Sequence, residues 1–301
     1  MLLQAKPYEW MVKYTPQRVW INGRGVLLWL AYFFGDLGGA MYLISLYFNN
    51  LTGMAIGWGI IILLNGGCHL AFLGRPLRVW RAFTRPQSSW ITRGLIFIVG
   101  FVVFGALQLA PALPFLAWLP WSIDSLVLRT IAAIFAFLIL FYSGFAMSVI
   151  NAISFWNHAL LPVLFAFYGF LGAAGLFLIV VLSSGMESMV GAVETGIRIL
   201  LVVAAVLLAV YLGSATSTPG GKQSVAELIR GHISIPFYVG LVVLGIVIPL
   251  IVSVYFFSTG VVAPSVLIAG VICEVIGSLS LRYCMLKGGI YTPIIPNRLE
   301  A

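Results

Sequence analysis

The sequence predicts an all-α integral membrane protein with eight transmembrane helices arranged as two four-helix bundles, and three observations carry that prediction. Hydrophobic residues make up 62% of the 301-residue chain and charged residues 8%, a balance no soluble domain shows. Mean hydropathy is +1.11. Eight apolar runs are long enough to cross roughly 30 Å of hydrocarbon. They lie near residues 25–48, 51–74, 91–110, 126–150, 158–183, 192–213, 235–257 and 262–285. The linkers are short, so residues 1–301 read as a single polytopic membrane domain.

Before the first run, Lys6, Lys13, Arg18 and Arg24 stand among Tyr8, Trp10, Tyr14 and Trp20. That stretch lacks the apolar core of a cleaved leader, so the first span is expected to insert the chain. The first span carries Asp36, flanked by Gly35, Gly38 and Gly39. A carboxylate in hydrocarbon must be protonated, paired or wetted, and glycines let a second helix or a flat ligand come close. The expectation is a proton site, against a buried acid that only packs. On the second span Asn65 and His69 are four residues apart, hence on one helical face, beside Gly66 and Gly67. A lone intramembrane histidine is often a packing residue; an amide one turn before it and arginines after it favour a ligand or proton role.

Residues 69–94 follow, with five of the sixteen basic residues between two apolar runs. Arg75, Arg78, Arg81 and Arg85 are three or four apart, so in a helix they share one broad face, and Trp80 and Trp90 suit a membrane boundary. This is a docking surface or, on the blander reading, a charged loop that fixes topology. After the third span, Trp118 and Trp121 in a proline-rich loop mark the opposite interface. The fourth span carries Tyr142 in the run FYSGF, which by itself reads as core. The second and fourth spans run towards the same face, so His69 and Tyr142 fall in one half of the membrane. The next three spans read by hydropathy alone, and the eighth holds Glu274, a second mid-membrane carboxylate and possible proton relay.

Loop charge separates the two faces. The N-terminal tail, residues 75–90, residues 214–234 and the C-terminal tail hold nearly every loop lysine and arginine. The opposite loops offer Asn49, Asn50, Asp124, Glu187 and an uncharged turn near Gly260. The positive-inside rule therefore puts both termini and the arginine-rich face in the cytoplasm. Lipid headgroups and the insertion machinery account for the net charge of +8, so no nucleic acid partner is expected. Cys68, Cys273 and Cys284 lack ligand spacing, which argues against a zinc or iron–sulfur site in this chain. His69, His158 and His232 are too few for the four axial ligands of a di-haem cytochrome, so no haem is expected. There is no Walker motif, no zincin motif and no repeated pair of glycine-broken spans.

His69-Leu70, the run GRPLRVW at 74–80, PQSSWITRG at 86–94, YSGF at 142–145 and FWN at 155–157 together resemble the NrfD/polysulfide reductase membrane-subunit family. The resemblance implies a haem-free quinone-binding anchor in a prokaryotic cytoplasmic membrane, of the kind used in anaerobic respiration. It implies menaquinone or ubiquinone as cofactor, a ferredoxin-like iron–sulfur partner, and a molybdopterin oxidoreductase as catalytic subunit. Tyr142, in its Y-x-G-F setting, matches the tyrosine near the quinone head group in the polysulfide reductase branch. That branch also supplies an asparagine and a histidine from the first span, where this chain has Leu27 and Leu30, which makes His69 the candidate replacement, with Asn65 beside it. Better-known relatives place their catalytic subunits outside the cytoplasm, whereas the loop charges here resemble the branch whose partners stay inside. A competing class remains open: a secondary transporter or proton channel using Asp36 and Glu274.

Overall fold

The computed structural model describes residues 9–260 and 263–295. Lys6, Tyr8 and the last six residues, which entered the charge argument, lie outside that part. The eight spans are α1 (Gly25–Tyr47), α2 (Leu51–Phe72), α3 (Trp90–Ala112), α4 (Leu126–Ser148), α5 (Leu160–Ser183), α6 (Glu187–Ala215), α8 (Pro236–Thr259) and α9 (Pro264–Lys287). Between α6 and α8 lies a short amphipathic helix, α7 (Pro219–Arg230). The predicted spans are all present; the largest boundary change is at α6, which begins at Glu187, a residue expected in a loop.

The spans form two groups of four, α1–α4 and α5, α6, α8, α9, that meet along a seam where α1, α4, α5 and α9 pack on one another. The helices α1 and α5 form its axis: 67% and 72% of their most apolar windows are buried, against 17–39% for the other spans. Elsewhere the spans turn apolar side chains outward, as lipid allows, because an α-helix satisfies its own backbone.

Helix approach in α1 depends on absent side chains. A Cβ on Gly57 of α2 would sit 2.6 Å from the Tyr42 nitrogen and 2.8 Å from the Gly38 carbonyl, so the two backbones touch there. A Cβ on Gly39 would meet the Ala136 carbonyl of α4 at 2.9 Å. The glycine cluster around Asp36 therefore admits neighbouring helices. Two spans depart from α winding. In α2 the stretch Ile60–Gly66 is π-helical, and in α8 Pro236–Val247 is, with Pro249 following where the ladder loses a donor.

One face is laced together by polar bonds. Strand β1 (Thr15–Pro16) pairs antiparallel with β2 (Ile290–Tyr291). The Gln17 side chain donates to the Leu286 carbonyl, and Trp156 Nε1 donates to that of Met285 at 2.7 Å. Amphipathic α7 buries Val225 and Leu228 on this face and is capped by Thr218, whose hydroxyl accepts from Gly221 N at 3.1 Å. On the opposite face Arg129 is paired with Asp124 at 2.8 Å and donates to Asn49 Oδ1 at 2.9 Å, so its charge is locally offset.

Gly57→Val should therefore lose stability on the order of 1–3 kcal/mol, because backbone atoms rather than flexible side chains block the added carbons. Thermal unfolding in detergent measures it, with Gly59→Val, at a position facing open space, as the control that should change little.

Candidate functional site

The polar residues of α1, α2 and α4 that lie toward the charged face converge. His69, three residues before the end of α2, directs Nδ1 to the Asn65 carbonyl at 3.0 Å. A carbonyl can only accept, so Nδ1 carries the proton and Nε2 presents a lone pair. That Nε2 is buried and has no partner among the described residues. Its ring lies 6.4 Å from that of Tyr142 and 6.5 Å from that of Tyr32. Tyr32 and Tyr142 meet edge to face at 5.9 Å, with their hydroxyls near enough to interact. Trp20 closes the cluster above Tyr32 at 6.4 Å.

Local sequence explains the arrangement. The π turn ending at Gly66 re-phases α2, so Asn65 faces α1, donating to the Ala31 carbonyl at 2.8 Å, while its Oδ1 stays buried without a partner among the described residues. Gly35 leaves the space that Asn65 occupies; a Cβ there would lie 2.9 Å from its amide nitrogen. Gly94 of α3 does the same for Tyr142, whose ring occupies the place of the missing side chain.

Asp36, one turn beyond Tyr32, is ion-paired. Arg282 of α9 donates Nη2 and Nε to its Oδ2 at 2.8 and 2.9 Å, and Ser143 of α4 donates to Oδ1 at 2.9 Å. The remaining guanidinium donors reach the Ser278 carbonyl and hydroxyl at 2.8 and 2.7 Å and the Phe165 carbonyl at 3.0 Å. Both charged side chains are fully enclosed, Asp36 at 1% exposure and Arg282 at 0%. Every donor is used, which is the condition under which a buried ion pair is tolerated.

The other predicted positions separate from this cluster. Arg75, Arg78, Arg81 and Arg85 are exposed on the same face. Pro76–Phe83 is a 3-10 helix rather than an α-helix, and its three-residue turn aligns Arg75, Arg78 and Arg81, while Arg85 lies beyond it. The fifth basic residue, Arg93, is committed to the loop, donating to the carbonyls of Pro86 and Gln87 at 2.8 and 2.7 Å. Glu274 is buried in the second group of helices, two turns from Arg282 along α9 and away from Asp36. His158 is engaged at the start of α5, where Nδ1 accepts from Leu160 N at 3.1 Å and partial burial lowers its basicity. His232 lies 3.2 Å from Glu227. A groove of about 630 Å³ between Leu46, Arg129 and Phe137 lies at the other end of α1, is almost wholly apolar, and has none of these groups.

Sequence reasoning missed Tyr32, Arg282 and Glu194. Arg282 had a signal: a guanidinium five residues inside a span needs an anion, just as Asp36 needs a cation. Tyr32 had one too, since it shares a helical face with Asp36 four residues later.

These features define a class, a multi-pass helical membrane protein whose polar chemistry is enclosed between helices just below one basic face. Residues 25–294 match the family model described as "Polysulphide reductase, NrfD", and the chain belongs to that family of membrane subunits of oxidoreductase complexes. It is also similar to "Protein NrfD homolog" of Haemophilus influenzae, 26% identical over 313 residues, covering 93% of this chain and 97% of the relative.

Arg282→Met should cost about 3–5 kcal/mol of stability by stranding Asp36 in a dry site. Pairing it with Asp36→Asn should recover most of that loss, measured as a double-mutant cycle of unfolding in detergent.

Proposed function

We propose that this chain is the quinone-reactive anchor of a membrane oxidoreductase complex. Its head-group site lies between His69, Tyr142, Tyr32 and Asn65. The observation that carries the reading is the buried Nε2 of His69, without a partner among the described residues, beside two tyrosine rings. An enclosed acceptor of this kind is stable only if a donor reaches it, and a quinol hydroxyl supplies one. Asn65 Oδ1 is a second unused acceptor nearby. The residues present thus fit a quinone. When bound, that cofactor supplies two-electron, two-proton chemistry.

On this reading the chain's own contribution is position and protons. His69 Nε2 takes a proton from the ligand or returns it, and the Asn65 carbonyl holds the ring in the required tautomer through Nδ1. The Tyr142 hydroxyl holds a ligand oxygen, and flat packing on Gly94 fixes its ring. Asp36, held by Arg282, orients Tyr32 through one turn of α1. An iron–sulfur subunit linked to a molybdopterin subunit docks on Arg75, Arg78, Arg81 and Arg85 and delivers or withdraws electrons. The cluster lies within two helical turns, about 10 Å, of that face, close enough for a partner's terminal cluster to serve it. The loop charges support a cytoplasmic docking face. The transporter reading is weaker because Asp36 is held by Arg282 and Ser143 and shares no site with Glu274.

Tyr142→Phe keeps the ring and removes one hydroxyl, so the complex should assemble while quinone-linked turnover falls about tenfold, the value of one hydrogen bond. An unchanged rate in an intact complex would remove Tyr142 from the site. His69→Gln should retain quinone binding and slow turnover about a hundredfold, since an amide cannot transfer the proton. Wild-type turnover in that variant across about pH 6 to 8 sinks the proton role. A reporter fused after Ala301 that fluoresces only in the cytoplasm should light; a dark reporter reverses the assignment of faces.

A further inference from the structure

The second group of helices encloses three polar side chains that the reading above does not use. Glu274 of α9 and Glu194 of α6 are each 3% exposed, and each has an Oε2 without a hydrogen-bond partner among the described residues. Ser253 of α8 is 1% exposed and its hydroxyl lies beside the Glu194 carboxyl. The two carboxyls are within electrostatic reach of each other. Gly175 of α5 makes room for Glu274, whose Oε2 would lie 2.6 Å from a Cβ there. Four helices thus contribute to one polar enclosure.

Two ionised carboxylates in such a space repel, and dry surroundings strengthen the repulsion, so one must hold a proton. The charged groups around them decide which. Arg198 is one turn beyond Glu194 on α6 and within its electrostatic reach, whereas Glu274 has Cys273 and Gly175 around it and, among the described residues, only the Glu194 carboxyl within its electrostatic reach. Depth grades the same way. Glu187 is exposed at the start of α6, Glu194 follows two turns on, about 10 Å deep, and Glu274 is ten residues into α9, about 15 Å deep from the same face.

We propose that Glu194 and Glu274 form a proton-binding site, in which Glu274 holds one exchangeable proton and Glu194 passes it to and from the face opposite the arginine-rich loop. The transfer is conservative: the O–H bond of Glu274 breaks as one forms on Glu194, and the charge moves the other way. The ligand is a proton and not calcium or magnesium, because the enclosure offers only two carboxyls and one hydroxyl where those cations take six or more oxygen ligands. This site lies apart from the His69 cluster and does not depend on the identity of the ligand there.

Two measurements on the full-length protein in lipid vesicles test it. Dicyclohexylcarbodiimide adds to protonated carboxyls in apolar surroundings, and peptide mass spectrometry should find the adduct on Glu274 at neutral pH, undiminished by added sodium chloride. The infrared carboxylic-acid band assigned to Glu274 should shift on transfer to heavy water. Glu194→Gln should slow that shift by about a hundredfold, and Glu194→Asp should restore it, as expected of a positioned proton-transfer group. Protection by sodium would reassign the enclosure to a metal cation. An unmodified Glu274 in correctly folded protein, or unchanged exchange in Glu194→Gln, overturns the proposal. If Glu194→Gln does not fold, the labelling of the native chain still decides.

Discussion

The interaction on which the architecture depends is the enclosed ion pair of Asp36 and Arg282. Neither charge could enter hydrocarbon alone, and each is held by groups from separate helices: α1 and α9 supply the charges, α4 supplies Ser143, and α5 supplies the Phe165 carbonyl. These are the four helices of the seam. The pair therefore fixes how the two groups of spans sit against each other, a specification that lipid-facing apolar packing cannot provide because hydrocarbon solvates a leucine as well as a neighbouring helix does. A Cβ on Gly169 would lie 3.1 Å from both the Cβ and the carbonyl of Asp36, so α5 reaches the pair only by omitting a side chain.

Positioning then propagates by one helical turn. With Asp36 locked, Tyr32 on the same face of α1 is locked too, and its ring meets both Tyr142 and His69. Asn65 ties α2 to the α1 carbonyl of Ala31 in the same layer. The π turn belongs to this scheme: α winding through residues 60–66 would rotate Asn65 and His69 away from α1, and the extra residue in the turn brings them back. Such a turn costs hydrogen-bond geometry, and the His69 ring, which binds the Asn65 carbonyl, offsets part of that cost.

Fold class and span positions were legible because the hydrophobic signal is local: each span announces itself within twenty residues, whatever it packs on. The convergence of His69 and Tyr142 was legible from direction alone, since both fall near the same end of spans that run the same way. What stayed hidden was pairing across long sequence distances. Asp36 and Arg282 are 246 positions apart, and no local pattern links them. Tyr32 sat unnoticed among aromatic neighbours, where a tyrosine reads as membrane core. Glu194 lies near the start of its span and four residues before Arg198, so no local pattern separates it from an interfacial charge. The glycines around Asp36 imply room for a helix or a ligand, and only packing shows that α2, α4 and Asn65 fill it. The 3-10 winding of the arginine segment was equally out of reach, although it preserves the common face that three-residue spacing implied.

The same physics separates two kinds of buried charge in this chain. Asp36 has a full set of donors and a cation, so its electrostatics are closed, and moving a proton onto it would break a network spread over four helices. On the function proposed here it is a positioning group. Glu274 and Glu194 are the reverse: each keeps one buried carboxyl oxygen without a partner among the described residues, and a glycine makes the space for Glu274. A satisfied charge organises its surroundings, whereas an unsatisfied acid exchanges protons at little structural cost. His69 belongs with the second kind, one nitrogen anchored and the other free. Chemistry is therefore expected where hydrogen bonding is incomplete, at the histidine–tyrosine cluster near one face and the glutamate pair nearer the other, with the closed ion pair holding the helices between them.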